Sequence, residues 1–273
     1  PAKRHVDRQQ RLAKLPEPER QTTLDAEPLA IVQPTDLDHV HSSQVCGSCH
    51  GMKWFDKSEE WTAHGFRYRP GDDLNKTTPI IRPTQLEKQP WLKPVLKKNP
   101  SIFNDFFWPD GHIRVTGREY NGLLESPCYQ RGEMSCVSCH SMHESDPDDQ
   151  LARGMRGNQA CLQCHDGMSD DLTRHTRHAA DSPGSNCTNC HMPHTSYGLL
   201  KAIRGHTIET PDVTTTLATG RPNACNLCHL DKTLDWTAEQ LAKRTGQAKP
   251  TVPGEHRTTA ASVLWLLKGD AGQ

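Results

Sequence analysis

The sequence predicts a mostly α fold with long irregular coil and one or two short β-hairpins, wrapped around a centre that its own side chains do not fill. Three observations lead there. Only 33% of the 273 residues are hydrophobic and 5% aromatic, whereas an ordinary globular domain is nearer half apolar. Cysteine and histidine are in large excess, at 11 and 16. The local order signals are brief, a few helix caps and one hairpin turn separated by many of the 20 prolines. Disorder is one answer to a shortage of apolar residues, and a non-protein core is the other. The net charge of −1 gives no bias toward nucleic acid or anionic lipid.

Residues 1–35 are charged and marked by Pro16, Pro18, Pro28 and Pro34. They read as an extended arm with one helical turn near Arg8–Lys14. Residues 36–235 form the central domain. Within it, Ser58 with Glu59 and Glu60 opens a short helix that carries His64 and stops at Gly65. A long insertion, about residues 66–130, follows, and Asp110-Gly111 between Phe106 and Thr116 signals a hairpin. Residues 236–273 are expected to form two helices. Thr237-Ala-Glu-Gln240 resembles a capping box for a helix ending near Gly246. Thr258 to Lys268, stopped by Gly269, is apolar on most faces and needs cover, from the central domain or from a continuation of the chain.

One pentapeptide recurs five times: Cys46-Gly-Ser-Cys49-His50, Cys136-Val-Ser-Cys139-His140, Cys161-Leu-Gln-Cys164-His165, Cys187-Thr-Asn-Cys190-His191 and Cys225-Asn-Leu-Cys228-His229. It arises by chance in roughly one chain in forty, so five copies are no accident. Two thiols three positions apart can add to the two vinyl groups of one haem, and the adjacent histidine then supplies a ligand to the iron. Structural zinc uses such cysteine pairs two at a time and gives no reason for a histidine after each. A disulfide framework leaves the histidines unexplained as well. A thioredoxin-type motif is normally single and sits in a βαβ context absent here. Five covalently bound haems c are therefore expected, and large apolar plates of this kind also answer the shortage of core. Cys128 is left over, and burial is its simplest use.

Eleven further histidines remain for the far faces of the irons. His143 is too close to His140 for the same iron but suits a neighbour. His178 precedes the fourth motif, His206 lies between the fourth and fifth, and His64 follows its short helix. One of His39 and His41, with His41 preferred, should ligate on the approach to the first motif. His112, His175, His194 and His39 are reserves. Met52, Met142 and Met192 are read as packing.

Ser126-Pro-Cys-Tyr through His143, then Arg177-His178 to Cys187-Thr-Asn-Cys190-His191-Met192-Pro193, resembles multihaem cytochromes related to the tetrahaem cytochrome of ammonia oxidisers. Gly205-His206-Thr-Ile to Arg221-Pro-Asn-Ala-Cys225, and on to Trp236, is similar to haem domains joined to helical repeats. The resemblance spans about residues 40–245. It implies closely packed haem pairs, bis-histidine iron with His178 and His206 as distal ligands, and electron transfer outside the cytoplasm. The long insertion departs from the compact tetrahaem pattern.

Electron transfer between redox partners, or between copies of this chain in a complex or filament, is the expected function. The alternative is an oxidoreductase of small nitrogen or sulfur compounds with one open haem, and a third reading is a module for assembly. Covalent haem attachment occurs outside the cytoplasmic membrane, so a periplasmic or extracellular site is expected, with the opening Pro1-Ala2-Lys3-Arg4-His5 left by processing or trimming. The longest apolar stretch, Ala260 to Leu267, is too short to span a bilayer.

Overall fold

A computed structural model describes residues 2–26, 31–55, 57–143, 149–198, 200–246 and 248–268. The N-terminal segment, expected to be extended, forms two helices, α1 (Ala2–Leu12) and α2 (Glu17–Ala26). Residues 2–12 contain neither Gly nor Pro. Pro18 falls in the first turn of α2, where a missing N–H costs little, and Glu17 and Glu19 suit the helix dipole there. Arg20 ties the pair by donating from Nε to the Leu12 carbonyl and from Nη2 to that of Leu15, both at 3.2 Å.

Helix α3 (His39–His50) starts at Asp38, whose Oδ1 accepts from the amides of Val40 and His41 at 3.0 Å. Helix α4 (Ser58–His64) forms where expected, and Gly65, at φ +68°, closes it with an amide bond to the Trp61 carbonyl. The insertion carries α5 (Lys93–Lys98) and α6 (Glu119–Glu125), with α7 (Pro127–Arg131) directly after it. Here the side-chain core is concentrated. Tyr68, Leu74, Ile80, Tyr120, Leu123, Leu124 and Tyr129 form one cluster, and Ile81, Leu92, Phe103, Phe107 and Ile113 a second. Asn121 pins α6 beside α3: its Oδ1 accepts from the Met52 amide at 2.6 Å and its Nδ2 donates to the Ile81 carbonyl at 2.7 Å.

The Asp110-Gly111 turn is present, with Gly111 at φ +84° and the Trp108 amide donating to the His112 carbonyl at 2.8 Å. Its arms make one isolated bridge, Phe107 to Ile113, rather than two strands, because Pro109 removes a donor beside the turn. The hairpin proper lies elsewhere: β1 (His194–Gly198) pairs antiparallel with β2 (Lys201–Arg204), Tyr197 opposite Ala202. The arm after the Asp110 turn docks on it, with the Tyr197 amide donating to the Arg114 carbonyl at 2.7 Å.

The remaining helices are α8 (Gln159–Leu162), α9 (Leu172–Thr176), α10 (Cys187–His191), α11 (Val213–Thr219), α12 (Leu234–Thr245) and α13 (Ala261–Leu267). Helix α12 ends at Gly246 as expected but begins a turn early. Thr233 caps it, and Thr237 is buried inside it, donating to Asn226 Oδ1 at 2.7 Å. Helix α13 is shorter than expected and buries Ala261 and Leu264 while exposing Val263, Leu266 and Leu267. The expected stop at Gly269 lies outside the described residues. Val213, Leu234, Ala238, Val252 and Ala261 make a third cluster.

Between Tyr129 and Val213 no Ala, Val, Ile, Leu, Met or aromatic side chain is buried among the described residues. Three of the five repeated motifs lie in that interval. Among the described residues no helix is long and apolar enough to cross a membrane.

Candidate haem sites

Each pentapeptide folds into about one helical turn. The first closes α3 and the fourth is α10. In the others the histidine amide donates back to the first cysteine's carbonyl: His140 to Cys136 at 3.0 Å, His165 to Cys161 at 3.0 Å and His229 to Cys225 at 2.8 Å. Positions i and i+3 of a helical turn share a face, so both thiols meet one edge of a flat group, with the histidine a position further on. Polar residues start three of these turns. Ser135 caps the second, Asn186 Oδ1 accepts from the Thr188 side chain at 2.9 Å, and Asn223 Oδ1 accepts from the Cys225 amide at 3.1 Å.

No disulfide joins any of the eleven cysteines, and Cys128 is half-buried on α7. Burial holds the thiols of Cys139, Cys161, Cys190 and Cys225 above their ordinary value, up to about 12 for Cys161 and about 11 for Cys225. The thiol of Cys46 lies beside that of Cys136, and that of Cys161 beside that of Cys187. Cys139 lies within electrostatic reach of Cys164, and Cys190 within reach of Cys228. The motifs therefore adjoin one another in chain order. Asn158 joins the third to the fourth, donating to the Ser185 carbonyl and accepting from the Cys187 amide, both at 2.8 Å.

Three histidine pairs face each other across the motif region. The ring centres of His140 and His206 are 6.2 Å apart, those of His175 and His191 6.1 Å, and those of His178 and His229 6.1 Å. Two imidazoles on opposite faces of one metal, each with a bond of about 2.0 Å and a ring centre about 1.1 Å beyond its nitrogen, stand about 6.2 Å apart. The pairs thus have the spacing that a doubly ligated haem iron needs. Each pair contains one motif histidine and one from outside.

The ring nitrogens are prepared in the same sense. His140 Nδ1 bonds the Asp149 carbonyl at 2.9 Å and His191 Nδ1 the Glu209 carbonyl at 2.9 Å. His178 Nδ1 bonds the Thr176 carbonyl at 2.7 Å and His206 Nδ1 the Arg204 carbonyl at 3.0 Å. A carbonyl only accepts, so Nδ1 holds the proton and Nε2 presents its lone pair. Burial keeps His206 below the ordinary histidine value, hence neutral, against the opposing pull of Glu119.

His41, half-exposed on α3, has the same polarity, with Nδ1 2.6 Å from Asp38 Oδ2. His64 and His143 are exposed, and neither ring faces a second histidine among the described residues. His50 and His165 are exposed too, and His50 Nδ1 meets Glu119 Oε2 at 3.0 Å. His39 packs edge-on against Tyr129 at 5.3 Å. His112 lies beside Asp110 and Glu209, a pair that also holds the buried Arg221.

Sequence reasoning kept His175 in reserve, yet it faces His191. Arg177, at φ +60°, turns the chain between His175 and His178 so that each serves a different motif. Glu119, Asn158 and Gly184 were not foreseen. Their partners are distant in sequence or lie in a loop, and only the Ser-Pro-Gly-Ser turn signal around Gly184 was legible.

Residues 129–170, which hold the second and third motifs, match the family described as the doubled CXXCH motif. That doubled element, with three further copies of the same unit, defines the chain as a multihaem c-type cytochrome. The crystal structure of the outer cell wall cytochrome OcwA is similar to it, with a TM-score of 0.46 and 15% identity over 82% of this chain and 54% of that one. The chain thus spans about half the length of that structure. No curated protein matches it.

Proposed function

We propose that the chain carries five haems c, one at each pentapeptide, and conducts electrons among them outside the cytoplasm. The observation that carries this reading is the set of three histidine pairs at ligation spacing. His50, His140, His165, His191 and His229 are the proximal ligands, each beside the two cysteines that attach its haem. His206 serves the haem of His140, His175 that of His191, and His178 that of His229. The haems of His50 and His165 draw their distal ligands from His41, His64 and His143. When bound, each haem supplies a one-electron iron couple, and the protein sets its potential and position.

An iron held by two histidines has no position left for a substrate, so the reading is a conduit rather than an enzyme. The adjoining cysteines support a haem order that follows the chain from first motif to fifth. Partners are other redox proteins, or further copies of this chain in a complex or filament. The haems also fill the interval between Tyr129 and Val213, where no Ala, Val, Ile, Leu, Met or aromatic side chain is buried among the described residues.

A reductive titration of the purified protein tests the reading. Uptake of five electrons per chain, with no turnover of nitrite or hydroxylamine, is expected. Fewer electrons, or sustained consumption of either compound, would overturn it.

A further inference from the structure

The motif histidines do not all rest on the same kind of acceptor. His140 and His191 give their Nδ1 protons to neutral backbone carbonyls, of Asp149 and Glu209. His50 gives its proton to a carboxylate, Glu119 Oε2, at 3.0 Å. The Glu119 side chain is only 21% exposed. Its other oxygen accepts from the Gly117 amide at 2.7 Å, and no Lys or Arg among the described residues pairs with it. The negative charge therefore bears most directly on His50, its hydrogen-bonded partner, with His206 further off within its electrostatic reach. Helix α6 holds it there, because Tyr120, Asn121, Leu123 and Leu124 are buried and Asn121 is bonded on both sides.

From this contrast we propose that Glu119 is a positioning residue that makes the haem at His50 the hardest of the five to reduce. The inference rests on the five-haem reading above. A carboxylate on Nδ1–H draws the proton toward itself and makes Nε2 a stronger donor, which favours ferric over ferrous iron. The fixed charge adds to this, since an electron arriving at the iron is repelled by it. A carbonyl dipole does both more weakly. The low-potential end of the conduit is then its first haem, and electrons enter there and run toward the later motifs.

The test is Glu119→Gln in the full haem-loaded chain, followed by a spectroelectrochemical titration. Gln keeps the size of the side chain, and its oxygen can still accept from the Gly117 amide, so the start of α6 is preserved. At fixed applied potential the reduced-to-oxidised ratio of the lowest component is expected to rise about tenfold, a shift of about 59 mV for a one-electron couple. The haem of His140, whose distal His206 also feels Glu119, moves less in the same direction, and the other three stay in place. Five haems with an unmoved lowest component, or a larger shift in a different component, overturn the inference alone. A haem count below five instead strikes the reading beneath it. Potential-resolved EPR of the unaltered protein gives a second check that needs no variant. The last haem to be reduced should show the smallest g-anisotropy, as a strongly donating imidazole produces, and a last haem without that signature contradicts the proposal.

Discussion

The ring of His178 lies on the α-carbon of Gly184, so close that a Cβ there would stand 2.3 Å from Cδ2 and 2.4 Å from Cγ. No side chain fits in that gap, and the ring is held with its centre 6.1 Å from that of His229. Gly184→Ala should therefore push His178 aside and weaken one axial bond. The expected result is a high-spin signal from about one haem in five. An unchanged spectrum would count against the placement of His178.

His175 and His194 separate position from composition. Both were reserve candidates, but only His175 faces a motif histidine. His175→Ala is expected to open one iron, read as one carbon monoxide bound per reduced chain beyond the starting protein. His194→Ala should bind none. Equal behaviour of the two variants would remove His175 from the site.

Asn158 links two motifs through two bonds of 2.8 Å. Asn158→Ala deprives the Cys187 amide and the Ser185 carbonyl of their partner. The expected loss is ~2 kcal/mol in a urea unfolding curve followed by circular dichroism. A midpoint equal to that of the unaltered protein would show the link to be energetically idle.

Asp212 caps α11, accepting from the amides of Thr214 and Thr215 at 3.1 and 2.8 Å. Its partial burial alone would raise the carboxyl pKa, but the bonds from Thr215 and Thr214 outweigh it and hold the pKa below the ordinary 3.8. A depressed folded-state pKa stabilises fully above the unfolded value and is lost as pH falls through the folded one. Asp212→Ala should cost ~1 kcal/mol at neutral pH, and the gap to the unaltered protein should close only below 3.8. A gap independent of pH would contradict the cap's ionic character.

What the sequence made legible was local. The five pentapeptides declare their chemistry within five residues. Gly65 and Gly246 end their helices where a left-handed or otherwise Gly-favouring φ is needed. The Asp110-Gly111 turn forms even though its arms do not become strands. Apolar periodicity, the usual guide to packing, is silent between Tyr129 and Val213, where no aliphatic or aromatic side chain is buried among the described residues. The β1–β2 hairpin and the helix α9 fall in that interval. The place of His175 beside His178, held only in reserve by the sequence reading, was hidden for a similar reason. Each faces a motif histidine, and the turn at Arg177 that separates them carries no glycine to announce it. Contacts such as His50 with Glu119, 69 positions apart, have no local signal at all.

The central claim is that five haems sit between paired histidines with no iron open to solvent ligands. EPR and optical spectra of the oxidised and reduced protein, recorded with and without cyanide, test it most directly. The account predicts five low-spin haems whose spectra do not change on addition. A high-spin fraction of about one haem in five that shifts with cyanide would contradict it, and would mark an open iron of the kind an enzyme requires.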